Sequence, residues 1–226
     1  MLVSVKNVYK NYTLGKTTVP ALRGINLSIQ EGEFVSVAGA SGSGKSTLLN
    51  LIGCLDKPSS GEVWVGERQV NLLSERELNS IRLKTIGFIF QAFNLISVLN
   101  VRENVELPLL IRKDISKKER AERVARFIEA VGLTAQARHK PAELSGGQRQ
   151  RVAVARALVT HPKLVLADEP TANLDSKTGI EIIDLMQAIN REYKTTFVFS
   201  THDPKIMQRA SVIYHIEDGA LQSDMA

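Results

Sequence analysis

The chain has 226 residues, 43% of them hydrophobic, with 29 Lys and Arg against 24 Asp and Glu and a single cysteine. That composition lies above the disordered range and suits one domain, or one domain carrying a smaller inserted subdomain. It excludes a disulfide within the chain, and no apolar run approaches the roughly 18 residues that a membrane span needs.

The opening residues MLVSVKNVYKNY do not read as a secretory leader, so a cytoplasmic protein is expected. The densest basic run, Lys113 to Arg126, is interleaved with Asp114, Glu119 and Glu122 and keeps apolar residues at helical spacing. It reads as the solvated face of an amphipathic helix, and no nucleic-acid partner is expected.

In chain order, residues 2–8 and 23–29 alternate and predict strands. Glu33 to Gly39 is a nearly continuous apolar strand ending at glycine, with a helix starting near Lys45. Gly61 to Gly66 and Thr85 to Phe90 predict further strands. From about Gln91 to Thr160 the pattern turns helical, with segments near 101–112, 116–132 and 145–160. Strands return at Lys163 to Glu169, Thr195 to Ser200 and Ser211 to Ile216, and a helix over about Ser176 to Glu192 separates the first two. Strands alternating with helices predict an α/β fold with a parallel core sheet, the central helical stretch being an inserted subdomain.

The turn GASGSGKS, Gly39 to Ser46, fits G-x-x-x-x-G-K-[ST] between a strand and a helix. Its glycines let successive backbone N–H groups converge on a phosphate, and the helix N-terminus adds partial positive charge there. The expected contacts run through Gly39, Ala40, Ser41, Gly42, Ser43, Gly44, Lys45, Ser46 and Thr47. Lys45 supplies a cation for the β- and γ-phosphates, and the Ser46 hydroxyl fits Mg²⁺. Further on, LVLADEP is an apolar strand delivering Asp168 and Glu169 at its tip. Asp168 suits holding the metal, and Glu169 suits orienting or deprotonating an attacking water.

A second helix start, LSGGQRQR from Leu144 to Arg151, presents a hydroxyl at Ser145 and two glycines, Gly146 and Gly147, ahead of Gln148. A helix opened this way also favours an anion. One chain therefore carries two phosphate-shaped helix starts.

Together these stretches resemble the nucleotide-binding subunits of ATP-binding cassette (ABC) transporters over essentially the whole chain. The phosphate loop, the LSGGQ signature and the strand ending in Asp168 and Glu169 carry the resemblance. Gln91 in FIFQAFNL, the ANLD stretch at Ala172 to Asp175 and His202 in STHD add to it. IGCLDKPSSGEV, IGFIFQAFNLI and ENVELPL are similar to one subgroup, the ATPases of lipoprotein-release and macrolide-export systems and their cell-division relative (LolD/MacB/FtsE-like). ANLD stands where SALD is more frequent, a departure expected to be harmless.

The resemblance implies a P-loop NTPase core of mixed, largely parallel sheet with an antiparallel β subdomain (1–90 and 161–226, RecA-like) and an α-helical subdomain at about 91–160. It implies ATP and Mg²⁺ as cofactors, with Ser46, Gln91 and Asp168 at the metal and Lys45, Glu169 and His202 in catalysis. Ser145, Gly146, Gly147 and Gln148 would cover the γ-phosphate held by a second copy, in a head-to-tail homodimer. Tyr12 lies where the family stacks an aromatic on adenine, which is the expected role, simple packing being the alternative. Asp175 either crosses the dimer interface or caps the helix that follows.

Cys54 reads as a buried small hydrophobe, Trp64 as a packing residue, and His139 and His161 as loop residues without companion ligands. Since the chain ends at Ala226 soon after its last strand, a transmembrane permease on a separate polypeptide is the expected partner, at the cytoplasmic face of the membrane. The leading function is therefore an ATPase subunit driving that permease. The alternative is a regulatory ATPase that controls a cell-wall enzyme and transports nothing. Neither a long coiled coil nor a second cassette points to action on DNA or ribosomes.

Overall fold

The structure is a computed structural model describing residues 1–15 and 17–222; the expected domain end at Ala226 lies outside them. Strands β1 (Val3–Leu14) and β2 (Thr17–Ile29) form a long antiparallel hairpin. β3 (Phe34–Ala38) then enters the glycine-rich loop that opens α1 (Lys45–Ile52). β4 (Ser60–Val65), the short β5 (Arg68–Gln69), α2 (Glu75–Thr85) and β6 (Ile86–Ile89) follow. Three helices come in succession, α3 (Val101–Leu110), α4 (Lys117–Ala130) and α5 (Gly146–Leu158). The chain then alternates through β7 (Leu164–Ala167), α6 (Ser176–Tyr193), β8 (Thr196–Thr201), the single-turn α7 (Pro204–Met207), β9 (Val212–Glu217) and β10 (Ala220–Leu221).

Two sheets result. One is antiparallel, in the order β2-β1-β4-β5. The other runs β10-β9-β3-β8-β7-β6 and is parallel except for β10 at its edge. The mixed α/β architecture expected from the sequence is thus present.

Strands β3, β7 and β8 are buried on both faces, which is why they read as apolar runs rather than alternating ones. Their side chains divide between two cores. Phe34, Val165, Phe197 and Phe199 join residues of α3 to α6, including Val105, Phe127, Val152 and Ile182. Val35, Leu166 and Val198 join α1 and the antiparallel sheet, through Leu48, Leu51, Val5 and Ile25. Each large side chain buried this way contributes about 1.5–3 kcal/mol. The central strand β3 is thereby fixed from both sides, and the loop leaving it inherits that rigidity.

Three sequence expectations need correction. α2 was not foreseen, because only Leu78 and Ile81 of its eleven residues are buried and the apolar stripe is too thin to register. Thr85, expected in a strand, closes that helix instead. Residues 91–100, ahead of the first expected helical segment, form an irregular loop with Phe93 and Asn94 at φ +59° and +49°. The fully buried Asn104 holds this loop: its amide donates to the carbonyls of Ile96, Leu99 and Asn100 and accepts from the Ile96 N–H. α3 stops at Leu110 rather than 112, with Pro108 withholding a backbone donor in its last turn.

Candidate functional site

The glycine-rich loop leaves β3 in the middle of the parallel sheet, at the carboxyl ends of its strands, where open α/β sheets place their ligands. Gly44 has φ +110°, and a Cβ there would meet the Ala21 carbonyl oxygen at 2.7 Å, so only glycine fits. The turn directs Lys45 inward. Its side chain is buried, and Nζ donates to the carbonyls of Gly39 (2.9 Å) and Ala40 (2.8 Å).

β7 delivers the acids beside it. Asp168 Oδ1 accepts hydrogen bonds from Ser46 Oγ at 2.9 Å and Ser200 Oγ at 2.7 Å. Glu169 has φ +44°, a left-handed conformation that costs about 1–3 kcal/mol in a residue with a side chain. Its carboxylate lies between two cationic or potentially cationic groups, with Oε1 3.4 Å from Lys45 Nζ and Oε2 3.4 Å from His202 Nδ1. Two strand tips and the loop thus bring five predicted residues into mutual contact: Lys45, Ser46, Asp168, Glu169 and His202.

A cleft of about 320 Å³ opens over the phosphate loop, lined in part by Ser41, Gly42, Lys45, Thr47, Gln91 and Glu169, while His202 lines a second cleft that shares Glu169. Gln91 therefore reaches the phosphate loop from the end of the β6 segment. The oxygens of Ser46, which lines this cleft, and of Asp168, bonded to it, are of the kind a hard divalent cation such as Mg²⁺ takes. Ser43 Oγ is buried without a hydrogen-bond partner.

Tyr12 sits to one side. Its hydroxyl donates to Asp56 Oδ2 (2.9 Å), and Lys10 Nζ, paired with Asp56 at 2.7 Å, lies 4.8 Å from the ring centre. Partial burial and the bond to Asp56 push the phenol up from its ordinary range. Lys10 occupies one ring face, so a base can stack only on the other.

Ser145, Gly146, Gly147 and Gln148 do not line the cleft. Ser145 caps α5 in a reciprocal box: its Oγ accepts from the Gln148 N–H (3.2 Å), and Gln148 Oε1 accepts from the Ser145 N–H (2.9 Å). The paired glycines also have a packing reason within the chain. A Cβ on Gly147 would lie 2.6 Å from Thr178 Cγ2, and one on Gly146 3.2 Å from Leu174 Cδ2.

Asp175 caps α6, accepting from the Thr178 N–H at 3.0 Å, and Thr178 holds its carboxyl below the usual range. Asn173 of ANLD, expected to be inconsequential, donates from Nδ2 to the Gln91 carbonyl at 2.8 Å, a bond alanine could not make. Sequence reasoning missed Asn173 and Ser200; the latter's only signal is a polar residue in an apolar strand two places before His202.

The outlying residues are structural. Cys54 is buried at φ +58°, and burial pushes its thiol up to about 11. His161 packs edge-on against Phe127, and burial lowers its pKa. Trp64 donates from Nε1 to Glu62.

Residues 22–172 match the ABC transporter family. An ABC transporter ATP-binding protein of Methanocaldococcus jannaschii is 48% identical, covering 99% of this chain and 96% of that protein. The lipoprotein-releasing system ATP-binding protein LolD of Acinetobacter baylyi is 44% identical, over 97% of this chain and 96% of its own length. Among solved structures, the dimeric M. jannaschii cassette in a post-hydrolysis state bound to ADP and Pi superposes with TM-score 0.89 at 48% identity, covering 98% of this chain and 97% of that one. The structure of cbiO1 from Clostridium perfringens, part of the ABC transporter complex cbiONQ, gives 0.88 at 30% identity, covering 98% of this chain and 87% of that one.

Proposed function

This chain belongs to the ABC transporter family as an ATP-binding, ATP-hydrolysing subunit of the LolD/MacB/FtsE-like kind, and from that premise we propose that ATP closes two copies head to tail and so drives a separate membrane permease. The observation that supports this reading is the chain of contacts that joins Lys45 to Glu169, Glu169 to His202 and Ser46 to Asp168 beside the phosphate-loop cleft. The signature residues, outside that cleft on the same chain, then serve the partner's nucleotide.

In this reading, the loop from Gly39 to Thr47 holds the phosphates, Lys45 moving from the Gly39 and Ala40 carbonyls onto the β- and γ-oxygens. Ser46, Asp168 and Gln91 would hold Mg²⁺, which when bound neutralises charge on the phosphoryl oxygens. Glu169 orients the attacking water and takes its proton, and His202, against the other carboxylate oxygen, holds Glu169 in line. Tyr12 stacks on adenine with its free face. Ser145, Gly146, Gly147 and Gln148 of one copy cap the γ-phosphate on the other, the helix N-terminus supplying the attraction. A RecA-like core at 1–90 and 161–226 with a helical subdomain at about 91–160 is the domain division this mechanism uses.

An apolar groove of about 570 Å³, lined by Leu55, Leu83, Phe88, Phe90, Leu107 and Ile111, adjoins the Gln91 loop and is the permease-docking surface in this reading. Ile111 is 67% exposed and Leu55 47%. Among the described residues no helix is long and apolar enough to cross a membrane; in this reading a permease chain spans it and this chain sits on the cytoplasmic side. Purification from membranes tests this: a permease subunit should co-purify, and Mg²⁺-dependent ATP hydrolysis should accompany it. A chain that neither retains a membrane protein nor hydrolyses ATP contradicts the proposal.

A further inference from the structure

Ser200 opens the STHD stretch but has no role assigned in it, yet it ties the two acids together. Ala167 of β7 pairs with Phe199 of β8, so the next step along both strands sets Ser200 level with Asp168. Phe197 and Phe199 enter the core shared with α5 and α6, and Val198 enters the core shared with α1. Side chains alternate along a strand, so Ser200 shares the α1 face with Val198. It is fully buried there.

Its hydroxyl makes two bonds at once. It donates to Asp168 Oδ1 at 2.7 Å and accepts the Glu169 N–H at 2.8 Å. Ser46 donates to the same Oδ1, which leaves Oδ2 without a hydrogen-bonding partner among the described residues. One hydroxyl therefore links the Asp168 carboxylate to the Glu169 N–H across the peptide that joins them. That link coincides with the unfavourable backbone of Glu169 at φ +44°. Without the hydroxyl, the Glu169 N–H loses its acceptor and Asp168 loses one of two groups fixing its rotation.

We propose that Ser200 is a positioning residue for hydrolysis: by clamping the Asp168–Glu169 peptide it turns one carboxylate to the cation site and the other to the attacking water. This rests on the function proposed above. Ser200 acts through its neighbours and contributes no group to the reacting atoms.

The test compares wild type, Ser200→Ala and Ser200→Thr for ATP binding by calorimetry, with EDTA and then with Mg²⁺, and for steady-state hydrolysis. Ser200→Ala should bind ATP in EDTA within about twofold of wild type, because the phosphate loop is intact. Its gain in ATP affinity on adding Mg²⁺ should shrink several-fold, and kcat should fall about tenfold with a smaller change in KM. Ser200→Thr, which keeps the hydroxyl, should recover most of both. Should Ser200→Ala not fold, Ser200→Cys, a weaker donor and acceptor of similar size, should lower kcat and the Mg²⁺ gain in the same direction.

Wild-type kcat and Mg²⁺ response in the alanine or cysteine variant overturn the inference. So does a loss that appears equally in EDTA and tracks a lowered Tm, which is the signature of packing alone. A wild-type protein that fails to hydrolyse ATP overturns the function instead; wild-type hydrolysis matched by the variants overturns only the role of Ser200.

Discussion

Lys45 Nζ and Glu169 Oε1 lie 3.4 Å apart, with the lysine also bonded to two carbonyls of its own loop. In the proposed function, the cation for phosphate and the carboxylate for water are thus neighbours held by different elements, α1 and the tip of β7. In the proposed function a triphosphate entering the loop draws Lys45 onto its oxygens, and Glu169 is then left with the His202 imidazole as its neighbour. Binding and the readiness of the base are coupled through that one contact.

Lys45→Ala should remove ATP binding. A close, desolvated charge pair is worth about 2–5 kcal/mol, so calorimetry should show affinity weakened to near the limit of detection. Normal affinity would mean that the loop does not hold the phosphates.

Glu169→Gln should leave ATP affinity close to wild type and lower turnover by about 10²–10⁴-fold, the usual cost of a missing general base. The amide keeps the size and the left-handed backbone of Glu169 while dropping its charge. Near-normal turnover would remove Glu169 from the base role.

Ser145→Arg should damage hydrolysis by about 10²-fold or more while sparing ATP binding to the single chain. The reason is geometric: Ser145 caps α5 away from the cleft that Lys45 and Gln91 line. Loss of single-chain binding would show that the signature acts on its own chain's nucleotide.

Cys54 should resist thiol reagents at pH 8 in the folded protein and react once per chain after unfolding. Burial raises its thiol from 9.0 to about 11, with the nearby Arg82 charge pulling the other way. A raised folded pKa favours the protonated form, so the stability it contributes is complete below 9.0 and is lost as pH rises through about 11. Thermal melts from pH 8 to 11 should therefore decline less steeply in Cys54→Ala than in wild type.

Much of the site was legible because it is written in contiguous strings. The phosphate loop, LSGGQ and the Asp168–Glu169 pair each need consecutive residues at a strand or helix end, and such strings survive in a one-dimensional reading. What escaped depends on register. Ser200 matters because β8 lies beside β7, and Asn173 because its loop folds back against Gln91. Neither proximity can be counted along the chain. The same limit applied to α2, whose burial by two residues leaves little periodicity, and to residues 91–100, which a buried asparagine on α3 shapes from outside. The paired glycines of the signature read as an anion cradle, yet they also let α5 approach Thr178 and Leu174, a requirement visible only in three dimensions.

The most direct test of shared catalytic sites is turnover per chain measured against chain concentration at saturating ATP and Mg²⁺. Sites completed by the signature of a second copy predict specific activity that climbs with concentration and falls toward zero where sedimentation finds single chains. Undiminished turnover per chain at concentrations where every molecule is solitary would contradict the account.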